Sequence, residues 1–271
     1  LMLGAFAAVE LRSRRPMLDP YLLAQPRFLA SISGALFTGL AVVGLMSYAP
    51  ALMQQSLHIS VLGSAAVLGA WSATSMVVAL AAGSLPTRLP AQTRLLIGLA
   101  LAAIGELALT GLGTGTSWTR LLPGLFVTGL GTGVVNAALG RIAVESVPSG
   151  RVGMGSGANN TARYLGGATG AALVVSIASA GGAHQLINGW NIATLVSAGL
   201  AAVGVAIVAS CRTWRRRNPR SGRNRGRYSE HLAVVATPST PPTPHEPPIA
   251  PTPGGEDPEA TTTYQGNRRT G

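Results

Sequence analysis

Residues 29–53 read LASISGALFTGLAVVGLMSYAPALM, an apolar run with no charged side chain. An α-helix rises 1.5 Å per residue and needs about 20 residues to cross the ~30 Å hydrocarbon core of a bilayer. This stretch alone is long enough for one crossing. Five more of the same character follow, at 61–85, 94–114, 119–141, 157–181 and 187–210. The chain is therefore expected to be an all-α polytopic membrane protein, with a bundle of six transmembrane helices over residues 29–210. Composition agrees. Of the 271 residues, 47% are hydrophobic and 11% charged, against about 25% charged in a soluble domain. The 35 glycines suit helices that pack closely in lipid through small side chains.

Arginine placement orients the bundle. Arg12, Arg14, Arg15 and Arg27 precede the first stretch, Arg88 and Arg94 flank the connection after the second, Arg141 and Arg151 mark the one after the fourth, and the arginines from Arg212 to Arg227 follow the sixth. The alternate connections, Gln54–Ser60, Gly113–Thr119 and Gly181–Gly189, hold none, with Arg120 at the edge of one. Positive charge collects on cytoplasmic loops. Both termini are thus expected in the cytoplasm, and the protein in the inner (plasma) membrane. Trp118 and Trp190 fall at arginine-free ends, where interfacial tryptophans gather. The formal charge of +11 contains no lysine and sits in short loops and one tail. That pattern encodes topology, and no nucleic-acid partner is expected.

Outside the bundle, residues 1–28 divide into Leu1–Val9, about half of a span, and a cytoplasmic linker beginning Glu10-Leu-Arg12. The chain is expected to begin inside a helix it does not complete. Residues 211–236 form a basic juxtamembrane segment able to attract anionic lipid headgroups. Residues 237–271 are rich in proline and threonine, with too few apolar side chains to repay the entropy of folding, and are expected to be disordered.

No catalytic constellation appears. His58, His184, His231 and His245 are scattered, and Cys211 is the single cysteine. No enzyme activity, metal or bound cofactor is expected. Polar residues within the spans are more informative, because lipid makes them costly. Glu106 is the one carboxylate inside an expected span. It is a candidate for a proton or cation path, with a hydrogen-bonded carboxyl near the outer boundary as the plain alternative. Trp71, Ser72, Thr74 and Ser75 cluster in the second span and could line a cavity for an amphipathic ligand, or the hydroxyls could bond back to their own helix. Asn136, Asn159 and Asn160 lie toward the cytoplasmic ends, Asn136 as a possible part of the substrate path. Gly129, Gly131 and Gly133, with Gly166, Gly167 and Gly170, form small-residue faces that serve close packing or a moving gate.

One longer passage is recognisable. Arg151-Val-Gly-Met-Gly-Ser-Gly-Ala-Asn159-Asn160-Thr-Ala-Arg163-Tyr-Leu-Gly166-Gly167-Ala-Thr-Gly170 resembles the loop and following helix late in the fourteen-helix drug:proton antiporters of the major facilitator superfamily. Glu10-Leu-Arg12 with Pro16-Met-Leu-Asp19, and Gly129-Leu-Gly131-Thr-Gly133, resemble two further passages of that family in the right order. The resemblance implies the C-terminal six-helix half of such a transporter, built from 3+3 inverted repeats. It implies export of amphipathic or cationic organic compounds in exchange for protons, driven by the proton-motive force. The implied partners are the lipid bilayer, small organic substrates and an N-terminal bundle carrying the proton-coupling residues. It also makes Arg88, Asn160 and Arg163 gate or packing candidates, although Thr87 stands where the family's gate loop carries an acid. Two other readings compete: a half-transporter acting as a homodimer or heterodimer, and a membrane anchor that presents the basic, proline-rich tail.

Overall fold

The computed structural model describes residues 25–84, 89–113, 115–147, 152–179 and 186–217, all within one compact unit. Arg88, the linker before residue 25 and the tail after 217 lie outside the described residues, and with them the expectations made for those segments.

Six long helices carry the described chain. Helix α1, Pro26–Gln55, opens on Pro26, whose fixed φ and missing N–H suit a first helical turn. Midway it widens into a π-helical turn at Gly39–Val43. His58 (φ 51°) turns the chain, and the Ser60 hydroxyl accepts the Gly63 N–H at 3.1 Å, capping the start of α2, Val61–Ser84. Helix α3 spans Ala91–Ala108. A short 3₁₀ turn, Trp118–Arg120, leads into α4, Leu121–Glu145. Helices α5, Val152–Ser179, and α6, Leu186–Arg217, complete the set.

Two boundaries differ from the hydropathy reading by more than five residues. Helix α3 stops at Ala108 rather than 114, because Gly111 (φ 77°) and Gly115 (φ 82°) adopt a left-handed backbone that glycine alone enters without cost. Helix α6 runs past residue 210 through Cys211 to Arg217, into the basic segment. Five of the six helices are long and apolar enough to cross a membrane. The exception is α5, long enough at 28 residues but interrupted by Asn159, Asn160 and Arg163.

Helix pairing repeats itself. Helix α1 packs on α5 and α6, and α4 packs on α2 and α3; α1 also meets α4, and α3 meets α6. Exchanging α1, α2 and α3 for α4, α5 and α6 reproduces each of these pairs. Since the first triplet has three spans, the second enters the membrane from the opposite side, the inverted relation the resemblance implies.

Glycines set how closely the helices approach. Gly129 and Gly133 are four residues apart and share one helix face, whereas Gly131, 200° from Gly129, faces away. On the first face, a Cβ on Gly129 would stand 2.8 Å from the Trp71 carbonyl oxygen, and one on Gly133 2.6 Å from that of Ser75. On the other face Gly131 abuts the α3 backbone at Gly98 and Ala102. The motif wedges α4 between α2 and α3. Gly166 and Gly170 do the same for α5, meeting the carbonyls of Leu36 and Leu40 on α1.

The core at one end gathers Leu45, Leu52, Met53, Leu109, Leu121 and Trp190. Trp190 corrects the interfacial expectation. It is 1% exposed, and its indole N–H donates to the Leu109 carbonyl at 3.1 Å, satisfying one of the carbonyls left open where α3 ends. Asn191 completes that closure by accepting from the Leu112 N–H at 3.1 Å and donating to its carbonyl at 2.9 Å.

Candidate functional site

Helices α1, α2, α4 and α5 border an open cavity of about 310 Å³. Helix α2 supplies Trp71, Ser72, Ser75, Met76 and Ala79, a helical face repeating at three and four residues. Helix α4 supplies Thr132 and Asn136, one turn apart, and α5 supplies Arg163. Thr38 and Val43 come from either end of the α1 π turn. Neither α3 nor α6 contributes to the wall. The lining helices are the first two of each triplet.

Local packing aims these side chains. Gly129 and Gly133 hold α4 against the backbone of α2, which turns Thr132 and Asn136 toward the space beside Ser72 and Ser75. Gly39 backs onto the Arg163 carbonyl, and Gly167 meets the Val43 side chain, where a Cβ would stand 3.1 Å away. That contact seats α5 against the π turn. A π turn displaces the backbone ladder by one residue and often sits at functional positions; here it delivers Thr38 and Val43 to the same wall.

The cavity is mixed in polarity and carries one charged group. The Arg163 Nη1 donates to the Asn136 Oδ1 at 3.1 Å. The Arg163 guanidinium carbon lies 5.7 Å from the Tyr164 ring centroid. The hydroxyls of Thr38 and Thr132 donate back to the carbonyls of Gly34 and Thr128, each at 2.7 Å, as hydroxyls in transmembrane helices often do. The indole nitrogen of Trp71 is buried with no partner among the described residues.

The residues singled out by sequence separate into groups. Trp71, Ser72, Ser75, Asn136 and Arg163 come together at the cavity. Thr74 does not line it; its hydroxyl donates to the Ala70 carbonyl at 2.6 Å and its side chain packs under Gly129. Asn160 is exposed on α5. Asn159 is buried and accepts from the Ser31 hydroxyl at 3.4 Å, between α5 and α1. Gly129, Gly131, Gly133, Gly166 and Gly170 are all at close helix crossings.

Glu106 lies apart from the cavity lining. It occupies the last turn of α3, 0% exposed, and neither carboxyl oxygen has a partner among the described residues. Its neighbour Gly105 presses on Thr128 of α4, whose hydroxyl is also without a partner. Sequence reading missed Thr38, Val43, Met76, Ala79 and Thr132. The one available signal was Thr132, embedded in the glycine triplet one turn from Asn136.

Comparison with known proteins accounts for this architecture. Residues 6–171 match the Major Facilitator Superfamily. The chain is also similar to an uncharacterized transporter, YebQ, of Escherichia coli strain K12, at 30% identity over 196 residues, covering 72% of this chain. It spans 41% of that relative's length. With more than half of the chain matched and its helices paired as two triplets, this multi-pass membrane protein belongs to the major facilitator superfamily.

Proposed function

We propose that this bundle is half of a transporter that exports amphipathic organic compounds across the plasma membrane in exchange for protons, by alternating access. The observation that carries the reading is the cavity: it is walled by the first two helices of each triplet and mixes apolar surface with hydroxyl, amide and guanidinium groups. The family match and a relative named as a transporter support membrane transport rather than enzymatic chemistry. Beside the cavity, Met76, Val77 and Leu80 of α2 and Tyr164 and Leu165 of α5 are exposed. A second six-helix bundle seats against that side and closes the cavity, and by resemblance it holds the proton-coupling residues. The glycine crossings between α1 and α5, and between α2 and α4, let the helices slide during rocking.

The test uses the complete transporter in bacteria lacking their main efflux pumps, with Nile red, a neutral amphiphile, as the probe. Expressing cells retain less dye than controls, and a protonophore abolishes the difference. Equal retention, or a difference that a protonophore leaves intact, overturns the reading.

A further inference from the structure

The cavity has an unbalanced inventory of hydrogen-bonding groups. Arg163 brings a full positive charge, and a guanidinium offers five N–H donors, of which one described bond, to Asn136, is made to a neutral amide. The Trp71 indole N–H is buried and unpartnered. No carboxylate lines the wall. The acids among the described residues are Glu145, held by Arg141 at 2.6 Å, and Glu106, which lies outside the cavity wall. An arginine within a membrane helix is costly unless an anion or an aqueous cavity answers it, and no side chain among the described residues supplies the anion.

We propose that the anion is the substrate: the cavity takes an amphipathic organic acid, its carboxylate or other oxyanion on Arg163 and its apolar body against Trp71, Val43, Met76 and Ala79. This rests on the transport reading and names the substrate class within it. The planar guanidinium fork matches a carboxylate in two parallel bonds. Asn136 is the positioning residue: its amide oxygen holds one guanidinium nitrogen at 3.1 Å and so orients the others. Trp71 supplies an aromatic face and a donor from the facing helix. A cationic amphiphile meets like charge at this position, and the donors around it find no acceptor. The drug-cation preference implied by resemblance is therefore reversed for this half of the binding site.

A matched pair of soluble probes tests the charge preference without relying on transport. 4-Phenylbutyrate and 4-phenylbutylammonium share their apolar body and differ in the sign of the head. Isothermal titration of the full-length transporter in nanodiscs of zwitterionic lipid, corrected by empty discs, should give at least tenfold tighter binding of the butyrate. Arg163→Gln should abolish the preference, and Arg163→Lys should retain part of it, with an unchanged thermal unfolding midpoint of both variants reporting an intact fold. Equal affinities, tighter binding of the ammonium, no binding of either probe, or a preference that survives in Arg163→Gln overturns the proposal. Failure of the transport reading is seen separately, as absence of Nile red efflux.

Discussion

Glu106 and Arg163 each set an ionisable side chain inside a helix of the bundle, and their surroundings differ in almost every respect. Glu106 is fully buried in the last turn of α3, with neither oxygen partnered among the described residues. Arg163 opens on the cavity with its guanidinium bonded to Asn136 and set over Tyr164. The α3–α4 seam at Gly105, the neighbour of Glu106, is sterically closed: a Cβ on Gly105 would come within 2.8 Å of the Thr128 Cα, and one on Gly124 within 2.6 Å of a Leu109 methyl. The helix around Arg163 instead faces space a ligand can fill. Cost alone does not mark function within a membrane. A polar group becomes a binding element where the packing leaves room beside it.

The contrast breaks most readily at the seam. Gly105→Leu forces a side chain into the α4 backbone, and overpacking of this kind costs about 3 kcal/mol or more. Most of the protein is then expected to be lost as aggregate in detergent-based size exclusion. Gly199→Leu on exposed α6, where a Cβ meets nothing within 4 Å, should leave the profile unchanged. Equal losses from both variants would mean that the seam is no tighter than the lipid-facing surface.

Glu106 itself offers the next test. Replacing a buried, unpartnered polar group by an apolar one of similar volume removes a desolvation penalty of about 1–3 kcal/mol. Glu106→Met should therefore raise the thermal unfolding midpoint in detergent, and Glu106→Gln should leave Nile red efflux unchanged. Lower stability in the first variant, or lost efflux in the second, would give Glu106 a working partner and erase the difference from Arg163. On the cavity side, Asn136→Ala leaves the charge in place but releases the guanidinium. A loss of about 1 kcal/mol for such a hydrogen bond is about fivefold in affinity, expected in 4-phenylbutyrate binding and absent for the ammonium probe.

Much of this architecture was legible in the sequence, because crossing a bilayer demands long apolar runs and small residues at helix crossings. The six runs became six helices, and the glycine triplet at 129–133 became a two-sided wedge that helical arithmetic alone predicts. The misses share a cause. The end of α3 depends on positive φ at Gly111, to which hydropathy is blind. Trp190 read as interfacial because its sequence position is terminal, yet a carbonyl 81 residues away, at Leu109, draws its indole into the core. The π turn at Gly39–Val43 carries no charge or motif of its own. The cavity was half readable: Trp71, Ser72 and Ser75 announce a polar patch on one helix, but only the crossing of α4 and α5 joins Asn136 to Arg163 across 27 positions. A charge read as part of a gate thereby joins the wall of the cavity.

The smallest expected effect sharpens what Arg163 owes to its immediate neighbour. Tyr164 is 69% exposed on this bundle, and its ring centroid lies 5.7 Å from the guanidinium carbon. A cation–π contact of this sort is worth about 0.5 kcal/mol, roughly a twofold change in affinity. Tyr164→Leu keeps an apolar side chain at the surface and should weaken 4-phenylbutyrate binding by no more than that, with no change in unfolding temperature. A loss as large as that of Asn136→Ala would mean that the ring, not the amide on the facing helix, fixes the direction of the guanidinium. The wall of the site would then be set by α5 alone, and the α4–α5 crossing would matter for packing only.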